Sequence, residues 1–343
     1  MLIYLFNHAV QDTHQRICFH NLNCMLPQFP NFKNVDVSDR ELVEEHTKKL
    51  PPYSDFNFTS LWLWDVDNKR MISELNGNLV VKFTDYQTGE PTLSLLGTNL
   101  IDESIKKIQE YAKANDINTT LNYVSEETAE QVTSTELYVH EDTDNFDYVF
   151  STHKIADSLG SELKSKRRLS KRFKEENPNA RFEINSLEDP AVQEKVKNLF
   201  NNWLSKKILK SVDYESSQEP EVVERLLKHP ENSNFVFSFL YIDKELIGFA
   251  ADEILPNAYA ISHVAKANTN YRGVYEYLNE RTARALLTRG VLYWNWEQDL
   301  GVNSLHATKS SYRPVSTLKK YKILPASYFY KVYRRISAFT LDV

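Results

Sequence analysis

Residues 259–314 constrain the possible folds of this chain more than any other stretch. Their pattern predicts consecutive elements that end in a polar segment: a strand over residues 259–265, the turn Asn270-Tyr271-Arg272-Gly273, a helix over residues 273–289, a strand over residues 291–296, and the polar residues 297–301. Buried polar groups must find partners, so apolar strands seldom end in many polar side chains by accident. Ligands bind at strand ends in open α/β sheets. These strand ends are therefore the expected position of a functional site.

Four polar side chains fall at or just past the ends of the two predicted strands: His263, Lys266, Glu297 and Asp299. Glu297 and Asp299 lie two positions apart beyond the second strand. In an extended chain such residues point to the same side, so both are expected to face one cleft. Carboxylates in a cleft can hold the ammonium group of a substrate or accept a proton from an attacking amine. The structural alternative is an ion pair with Arg272, Lys309 or Arg313, and the sequence leaves both open.

Length and charge suggest two unlike halves. With 343 residues, the chain is long enough for about two domains. The formal net charge of −6 hides an asymmetry, since residues 1–150 carry a net charge of −13 and residues 151–343 carry +7. This asymmetry indicates an anionic or polyanionic partner for the second half. Two surfaces of opposite charge that dock against each other would give the same pattern, and both interpretations stay open.

Cysteine use and hydropathy exclude several classes of protein. The two cysteines, Cys18 and Cys24, are consistent with a reducing cytoplasm. Together with His14 and His20 they match no closed zinc motif, so no metal site is predicted. The first residues lack the basic segment and cleavage site of a signal peptide, and no apolar run approaches the roughly 20 residues of a membrane helix. A cytoplasmic protein without a transmembrane segment is expected.

Both halves predict a mixture of helices and strands, which indicates the α/β class. In the first half, Asn76-Gly77 lies between two apolar runs and predicts a hairpin, because Gly accepts a positive φ. The run Leu61-Trp62-Leu63-Trp64 is expected to open a series of strands. The second half has the order of two helices, three strands, a helix and a strand. A boundary near residue 150 is expected, with one domain over residues 1–150 and a second over residues 151–343.

Six motifs give the chain a resemblance to a known family: Phe58-Thr59-Ser60-Leu61-Trp62-Leu63-Trp64, Asp144-Asn145-Phe146-Asp147-Tyr148-Val149, Lys166-Arg167, Tyr271-Arg272-Gly273, Glu297-Gln298-Asp299-Leu300-Gly301 and Lys309-Ser310-Ser311-Tyr312-Arg313-Pro314. On these residues the chain resembles the C-terminal catalytic domain family of phosphatidylglycerol lysyltransferase over roughly residues 35–325. In that family an Asn-His pair commonly follows the Lys-Arg. Arg168-Leu169 stands there in this chain, so the role of that pair does not carry over.

The resemblance implies two tandem GNAT-like acyltransferase domains, each a mixed, mostly antiparallel sheet flanked by helices, with the active cleft in the second. It also implies transfer of an aminoacyl group from aminoacyl-tRNA to an amine or hydroxyl acceptor, such as a small molecule, a lipid head group or a peptide. Aminoacyl-tRNA would be a co-substrate, so no bound cofactor is expected. Two alternatives stay open: an N-acyltransferase that uses coenzyme A, and a non-catalytic module that binds an anion.

A basic helix is predicted over residues 159–175, and it is the expected nucleic-acid-binding element. Its candidate phosphate contacts are Lys166, Arg167, Arg168, Lys171 and Arg172. Most of its basic groups lie outside the apolar stripe of the helix, so a solvated outer face is the structural alternative. Lys166 lies within the stripe and needs a partner, either Glu162 one turn earlier or a bound anion.

The turn Tyr271-Arg272-Gly273 opens a helix whose first N–H groups can bind an anion. In GNAT enzymes this turn holds the pyrophosphate of coenzyme A, usually with a second small residue beside the glycine. Only one glycine is present here, followed by Val274 and Tyr275, which weakens the coenzyme A interpretation, as it is weakened for the tRNA-dependent relatives. The structural alternative is a plain helix start. The turn completes the predicted substrate-binding set, whose other members are His263, Lys266 and Arg313.

The predicted catalytic set comprises Glu297, Asp299, Lys309 and Tyr312. Tyr312 can donate to a developing oxyanion or protonate a leaving hydroxyl. An ester with a ribose hydroxyl as leaving group needs little acid assistance, so positioning of the substrates can be sufficient. No Ser-His-Asp or Cys-His arrangement stands out, and direct transfer is predicted in preference to a covalent intermediate.

Overall fold

The computed structural model describes residues 25–65, 67–85, 88–157, 160–208, 218–229 and 234–326. Outside these ranges lie the four residues of the unmatched zinc motif, His14, Cys18, His20 and Cys24. None of the helices within them is long and apolar enough to cross a membrane.

The helices of the described ranges flank two β-sheets. Their bounds are α1 Arg40–Thr47, α2 Phe58–Leu63, α3 Ile101–Ala114, α4 Glu126–Ala129, α5 Thr152–Asp157, α6 Lys164–Glu176, α7 Pro190–Ile208, α8 Glu219–Lys228, α9 Val274–Leu287 and α10 Asn303–Ser311. Local sequence explains where several of them begin. For example, the Asp189 carboxylate accepts a hydrogen bond from Ala191 N at 2.8 Å, with Pro190 at the first helical position.

The strands fall into two sheets. Their bounds are β1 Lys33–Asn34, β2 Met71–Leu75, β3 Asn78–Thr84, β4 Pro91–Leu96, β5 Leu121–Ser125, β6 Leu137–Glu141, β7 Asp147–Ser151, β8 Ala180–Ile184, β9 Phe235–Ile242, β10 Glu245–Leu255, β11 Tyr259–Ala267, β12 Tyr293–Asn295, β13 Ser316–Leu318 and β14 Lys320–Pro325. The hairpin predicted at Asn76-Gly77 is confirmed, since it joins β2 to β3.

The two sheets share one strand order. The first sheet reads β1-β2-β3-β4-β5-β14-β6, and the second reads β8-β9-β10-β11-β12-β7-β13. In each, an antiparallel series of strands is followed by a helix, α3 or α9, and then by a strand parallel to the last member of the series. The predicted fold class, with two mixed and mostly antiparallel GNAT-like sheets flanked by helices, is confirmed.

Each half of the chain gives one strand to the sheet of the other half. Strand β7, from the first half, pairs with β12 and β13 in the second sheet. Strand β14, near the end of the described chain, pairs with β5 and β6 in the first sheet. The sheets therefore do not separate at residue 150, which lies inside β7.

The prediction that Leu61-Trp62-Leu63-Trp64 opens a series of strands is wrong. Phe58–Leu63 forms α2, and the next strand begins at Met71. The Asn57 side chain caps this helix, because its Oδ1 accepts a hydrogen bond from Ser60 N at 2.9 Å. All six side chains of α2 are buried. In a short run of mostly apolar residues, the spacing of apolar and polar positions does not distinguish a helix from a strand.

Candidate active site

A cavity lies where two parallel strands of the second sheet part. Strands β11 and β12 pair only over residues 259–261 and 293–295. Strand β11 then continues to Ala267 while the chain after Asn295 turns away. The space between them forms an inner cavity of about 340 Å³, with a wall that includes Ser262, His263, Lys266, Trp294, Trp296, Glu297 and Lys309.

A β-bulge directs His263 toward this cavity. Ala251 pairs with Val264 and Asp252 pairs with Ser262, so His263 is the extra residue in β11. An extra residue bends the strand and turns its side chain away from the regular alternation. The position of His263 in the wall is therefore a consequence of the strand register.

His263 lies between two carboxylates. Its Nε2 lies 3.2 Å from Glu253 Oε2, and its Nδ1 lies 3.4 Å from Glu297 Oε1. Burial by itself lowers the pKa of His263, but the hydrogen bonds and charges of Glu253 and Glu297 outweigh it and raise the pKa to about 9. The imidazole is therefore a cation at neutral pH, and it neutralises one of the two carboxylates.

Glu253 is the fixed member of this group. Its carboxylate, which is fully buried, accepts hydrogen bonds from Thr59 at 2.6 Å and from Arg40 at 3.0 Å. Burial alone would raise the pKa of Glu253, but His263, Thr59 and Arg40 lower it to about 2. Glu253 does not line the cavity, so Glu297 is the carboxylate of this group that a ligand in the cavity would meet.

The backbone of Glu297 has a left-handed conformation, with φ of 58°. A side chain longer than glycine seldom adopts this region unless its surroundings hold it there. Lys309 provides one constraint, because its Nζ donates to the carbonyl oxygens of Trp296 at 2.6 Å, Glu297 at 3.1 Å and Gln298 at 2.6 Å. Asn295 provides another, since its Oδ1 accepts a hydrogen bond from Glu297 N at 2.7 Å. Burial lowers the pKa of Lys309 to about 8. The structure thus places Lys309 as a clamp on the loop that carries Glu297.

Asp299 faces away from the inner cavity. It is buried, and it accepts hydrogen bonds from Tyr148 Oη at 2.6 Å and from Gly301 N at 3.0 Å, with His306 Nδ1 at 2.9 Å. Burial, followed by Asp299, raises the pKa of Tyr148 to about 12. The structure therefore separates the two carboxylates that were expected to face one cleft.

An outer groove of about 1580 Å³ adjoins the inner cavity. Nine residues line both, among them Lys266, Tyr275 and Asn279, so the cavity opens into the groove. Lys266 lies at this junction, with its Nζ 2.9 Å from Glu219 and 3.8 Å from the ring centre of Trp203. The groove is wide enough for an extended ligand whose end reaches the cavity.

Lys166 is the only one of the five predicted basic contacts on α6 that lines the groove in the described structure. Its partner is Glu276 at 3.4 Å, and the expected pairing with Glu162 is not formed. Its ammonium also lies 4.2 Å from the ring centre of Tyr312. Tyr312 lines the groove and accepts a hydrogen bond from Asn279 at 3.3 Å. Burial, followed by the charge of Glu276, raises the pKa of Tyr312.

The other four basic side chains of α6, Arg167, Arg168, Lys171 and Arg172, are exposed and lie outside the groove wall. Lys171 and Arg172 form ion pairs with Glu175 and Glu176 one turn later. Ion pairs between residues four positions apart are typical of a solvent-exposed helix face. A role of these four residues in nucleic-acid binding stays a prediction.

The turn at Tyr271-Arg272-Gly273 packs against α6. Gly273 has φ of 83°, and a Cβ atom on it would lie 2.3 Å from the carbonyl oxygen of Leu169. This close approach is why glycine is needed at the start of α9. Arg272 and Arg313 are exposed, and neither lines the cavity or the groove.

Two side chains that hold the site residues in place were not predicted from the sequence. Glu253 is the most important, and its only sequence signal is the Asp252-Glu253 pair within an apolar strand. Gln298 is another, since it accepts hydrogen bonds from Ser54 at 2.6 Å and from Lys320 at 3.3 Å. No cluster of three or more His, Cys, Asp or Glu residues that could hold a metal occurs in the described part of the chain.

The chain is similar to proteins of one family. The family model described as "Phosphatidylglycerol lysyltransferase, C-terminal" matches residues 47–324. No curated protein sequence matches the chain significantly.

Three solved structures share the fold. A conserved protein of unknown function from Bacteroides thetaiotaomicron is 22% identical, with a TM-score of 0.74 over 86% of this chain and 99% of that one. The C-terminal domain of a putative lysylphosphatidylglycerol synthetase from Agrobacterium fabrum is 12% identical, with a TM-score of 0.59 over 83% and 91%. L-PGS from Bacillus licheniformis is 12% identical, with a TM-score of 0.57 over 85% and 93%.

Proposed function

Because the chain belongs to the phosphatidylglycerol lysyltransferase C-terminal family, we propose that it transfers an aminoacyl group from aminoacyl-tRNA to an amine or hydroxyl acceptor. Family and fold support the broader class, a GNAT-like acyltransferase. The observation that carries the finer proposal is the position of Glu297, whose carboxylate lies beside His263 in the wall of a cavity that opens into a long groove.

The charge of Glu297 suits the aminoacyl group. An aminoacyl ester carries an α-ammonium next to the reacting carbonyl, whereas a simple acyl group carries no charge there. Trp64, Trp294 and Trp296 line the cavity, and apolar surroundings strengthen the attraction between this carboxylate and an ammonium. Binding of this ammonium is the proposed role of Glu297, and acceptance of a proton from the attacking amine is the alternative.

The reaction is a direct transfer between two bound substrates. The acceptor nitrogen or oxygen attacks the ester carbonyl carbon and forms a tetrahedral intermediate. Collapse of the intermediate breaks the bond to the ribose oxygen, and the proton lost by the acceptor is balanced by the proton that the ribose hydroxyl gains. The main contribution of the protein is to hold the ester and the acceptor in contact.

The contact between α6 and α9 disfavours the coenzyme A alternative. An acyl-CoA enzyme needs the turn before α9 open to a pyrophosphate. Here the carbonyl oxygen of Leu169 lies against Gly273 in that turn. A carbonyl oxygen carries partial negative charge and repels phosphate.

Single-turnover transfer assays test the proposal. The purified chain is mixed with a pool of labelled aminoacyl-tRNAs and, in separate reactions, with amine-bearing peptides, small amines or lipid vesicles. The expected result is transfer of label to one acceptor class. Transfer from acyl-CoA but not from aminoacyl-tRNA would support the N-acyltransferase alternative, and tRNA binding without transfer to any acceptor would support a binding module.

A further inference from the structure

Two lysines in the outer groove have the same unusual surroundings. Lys166 is 16% exposed, pairs with Glu276 and lies over the ring of Tyr312. Lys266 is 15% exposed, pairs with Glu219 and lies over the ring of Trp203. The two lysines come from different elements, α6 and β11, and line the same groove.

Each ammonium lies over an aromatic ring as well as beside a carboxylate, which is 2.9 Å away for Lys266 and 3.4 Å away for Lys166. A cation over an aromatic face keeps its position without a fixed hydrogen bond, and the Lys166–Glu276 distance of 3.4 Å is long for a charge-assisted one. The paired glutamates balance the charges of the two ammonium groups, because a mostly buried ammonium without an anion is costly. An incoming anion that replaced either glutamate would preserve the balance.

We infer that Lys166 and Lys266 form a phosphate-binding pair for the donor, with Glu276 and Glu219 as internal anions that the phosphates displace. This inference rests on the proposed function and adds the donor contacts to it. Lys266 lines both the cavity and the groove, so it binds the phosphate nearer to the aminoacyl ester. Lys166 lines the groove alone and binds a phosphate farther along the chain of nucleotides.

The direction in which each of four single substitutions changes the affinity for tRNA tests the phosphate-binding pair. Binding of uncharged tRNA with an intact 3′ end is measured by fluorescence anisotropy over a range of salt concentrations. Lys166→Gln and Lys266→Gln are expected to weaken binding, and each should reduce the salt slope by about 0.7, the value for one single-strand phosphate contact. Glu276→Gln and Glu219→Gln are expected to tighten binding by about fivefold, because each removes a charge that competes with phosphate.

A purely structural ion pair predicts a different pattern. All four substitutions would then lower the melting temperature, and the glutamate variants would weaken binding or leave it unchanged, which would overturn the inference. Arg168→Gln/Lys171→Gln is the comparison variant, because it removes two cations from the exposed face of α6. A larger loss of salt slope in that variant than in Lys166→Gln/Lys266→Gln would place the contacts on the outer face and overturn the inference.

A parallel titration with coenzyme A distinguishes the two sources of phosphate. If the lysine and glutamate variants change binding of coenzyme A with opposite signs and the wild-type protein does not bind tRNA, the phosphate pair is supported and the aminoacyl-tRNA proposal fails. If wild-type binds tRNA and all four variants bind equally well, the proposed donor is retained and the inference fails.

Discussion

Lys320 Nζ lies 2.6 Å from Asp147 Oδ1, and this contact joins the two sheets. Lys320 begins β14 in the first sheet, and Asp147 begins β7 in the second. Both side chains are fully buried, and Asp55 is a second carboxylate partner of the same ammonium. Burial by itself lowers the pKa of Lys320, but Asp147 and Asp55 outweigh it and raise the pKa. The exchange of strands is therefore fixed by a buried charge at the junction.

Lys320→Met should destabilise the whole protein, because it leaves two buried carboxylates without their cation. Breaking a buried pair on one side typically costs about 3–5 kcal/mol of unfolding free energy. Lys319→Met is the matched control, since Lys319 is 40% exposed and pairs with Glu126 and Glu141 at the surface. Its effect should be much smaller, because exposed ion pairs contribute little to stability. Equal effects of the two substitutions in urea unfolding would contradict the role assigned to Lys320.

The elements predicted well from sequence are those with a local signal. The hairpin at Asn76-Gly77 has a two-residue turn with positive φ angles, which few residue types other than Asn and Gly adopt. Helix α3 shows Ile101, Ile105 and Ile108 at helical spacing, and all three are buried. Such patterns depend on neighbours within a few positions. Helix α2 lacks any such pattern, and there the prediction failed.

Contacts between distant parts of the chain could not be predicted from local patterns. The strand exchange depends on which sheet edge is free to pair with β7 or β14. A pattern within a few residues of either strand does not contain this information. The pairing of Lys166 with Glu276 joins residues that lie 110 positions apart. The same holds for Glu253, whose importance becomes visible only when the bulge at His263 brings the two side chains together. A cavity lies at the predicted strand ends, and tertiary packing places Glu297, but not Asp299, in its wall.

Lys309→Met should impair transfer through the loop that carries Glu297. Without the ammonium, three carbonyl oxygens lose their shared donor, and the left-handed conformation of Glu297 loses part of its support. A displacement of about 1 Å in an active site can cost roughly 10²-fold in rate, and we expect a loss of about this size. Methylammonium added to Lys309→Ala should restore part of the activity, because it can occupy the vacated site. Full activity of Lys309→Met would rule out the clamp.

The same clamp predicts a dependence on pH. Since burial lowers the pKa of Lys309 to about 8, the wild-type protein should lose transfer activity as the pH rises through about 8. Lys309→Arg keeps its charge in this range. Whatever its absolute rate, its activity should not decline there. A parallel decline in both proteins, measured under single-turnover conditions, would assign the titration to another group.

His263 should make the protein less stable at alkaline pH. Its pKa rises from an ordinary value of 6.5 to about 9 in the folded protein. Its contribution to the unfolding free energy is therefore complete below pH 6.5 and is lost as the pH rises through about 9. Glu297→Gln removes one of the two carboxylates that raise this pKa, so the decline should be smaller in the variant. Urea unfolding at several pH values between 6 and 9 measures the difference, and identical slopes would exclude the coupling.

Glu297→Gln also tests the proposed chemistry, because it keeps the shape of the side chain and removes its charge. If Glu297 binds the ammonium of the aminoacyl group, the lost charge-assisted contact should lower kcat/KM by roughly 10- to 100-fold, the effect of about 1.5–3 kcal/mol. Most of that loss should appear in KM. If Glu297 instead accepts the proton of the attacking amine, kcat should fall by about 10²–10⁴.

A structural role for Glu297 gives a third pattern, in which activity is kept and the melting temperature falls. The carboxylate can be lost from the fold at small cost, because His263 retains its hydrogen bond with Glu253 at 3.2 Å. A donor analogue without the α-amino group completes the test on the substrate side. If Glu297 binds the ammonium, wild-type protein and Glu297→Gln should use this analogue equally poorly. A large difference between them on the analogue would remove ammonium binding from the mechanism and leave the proton transfer.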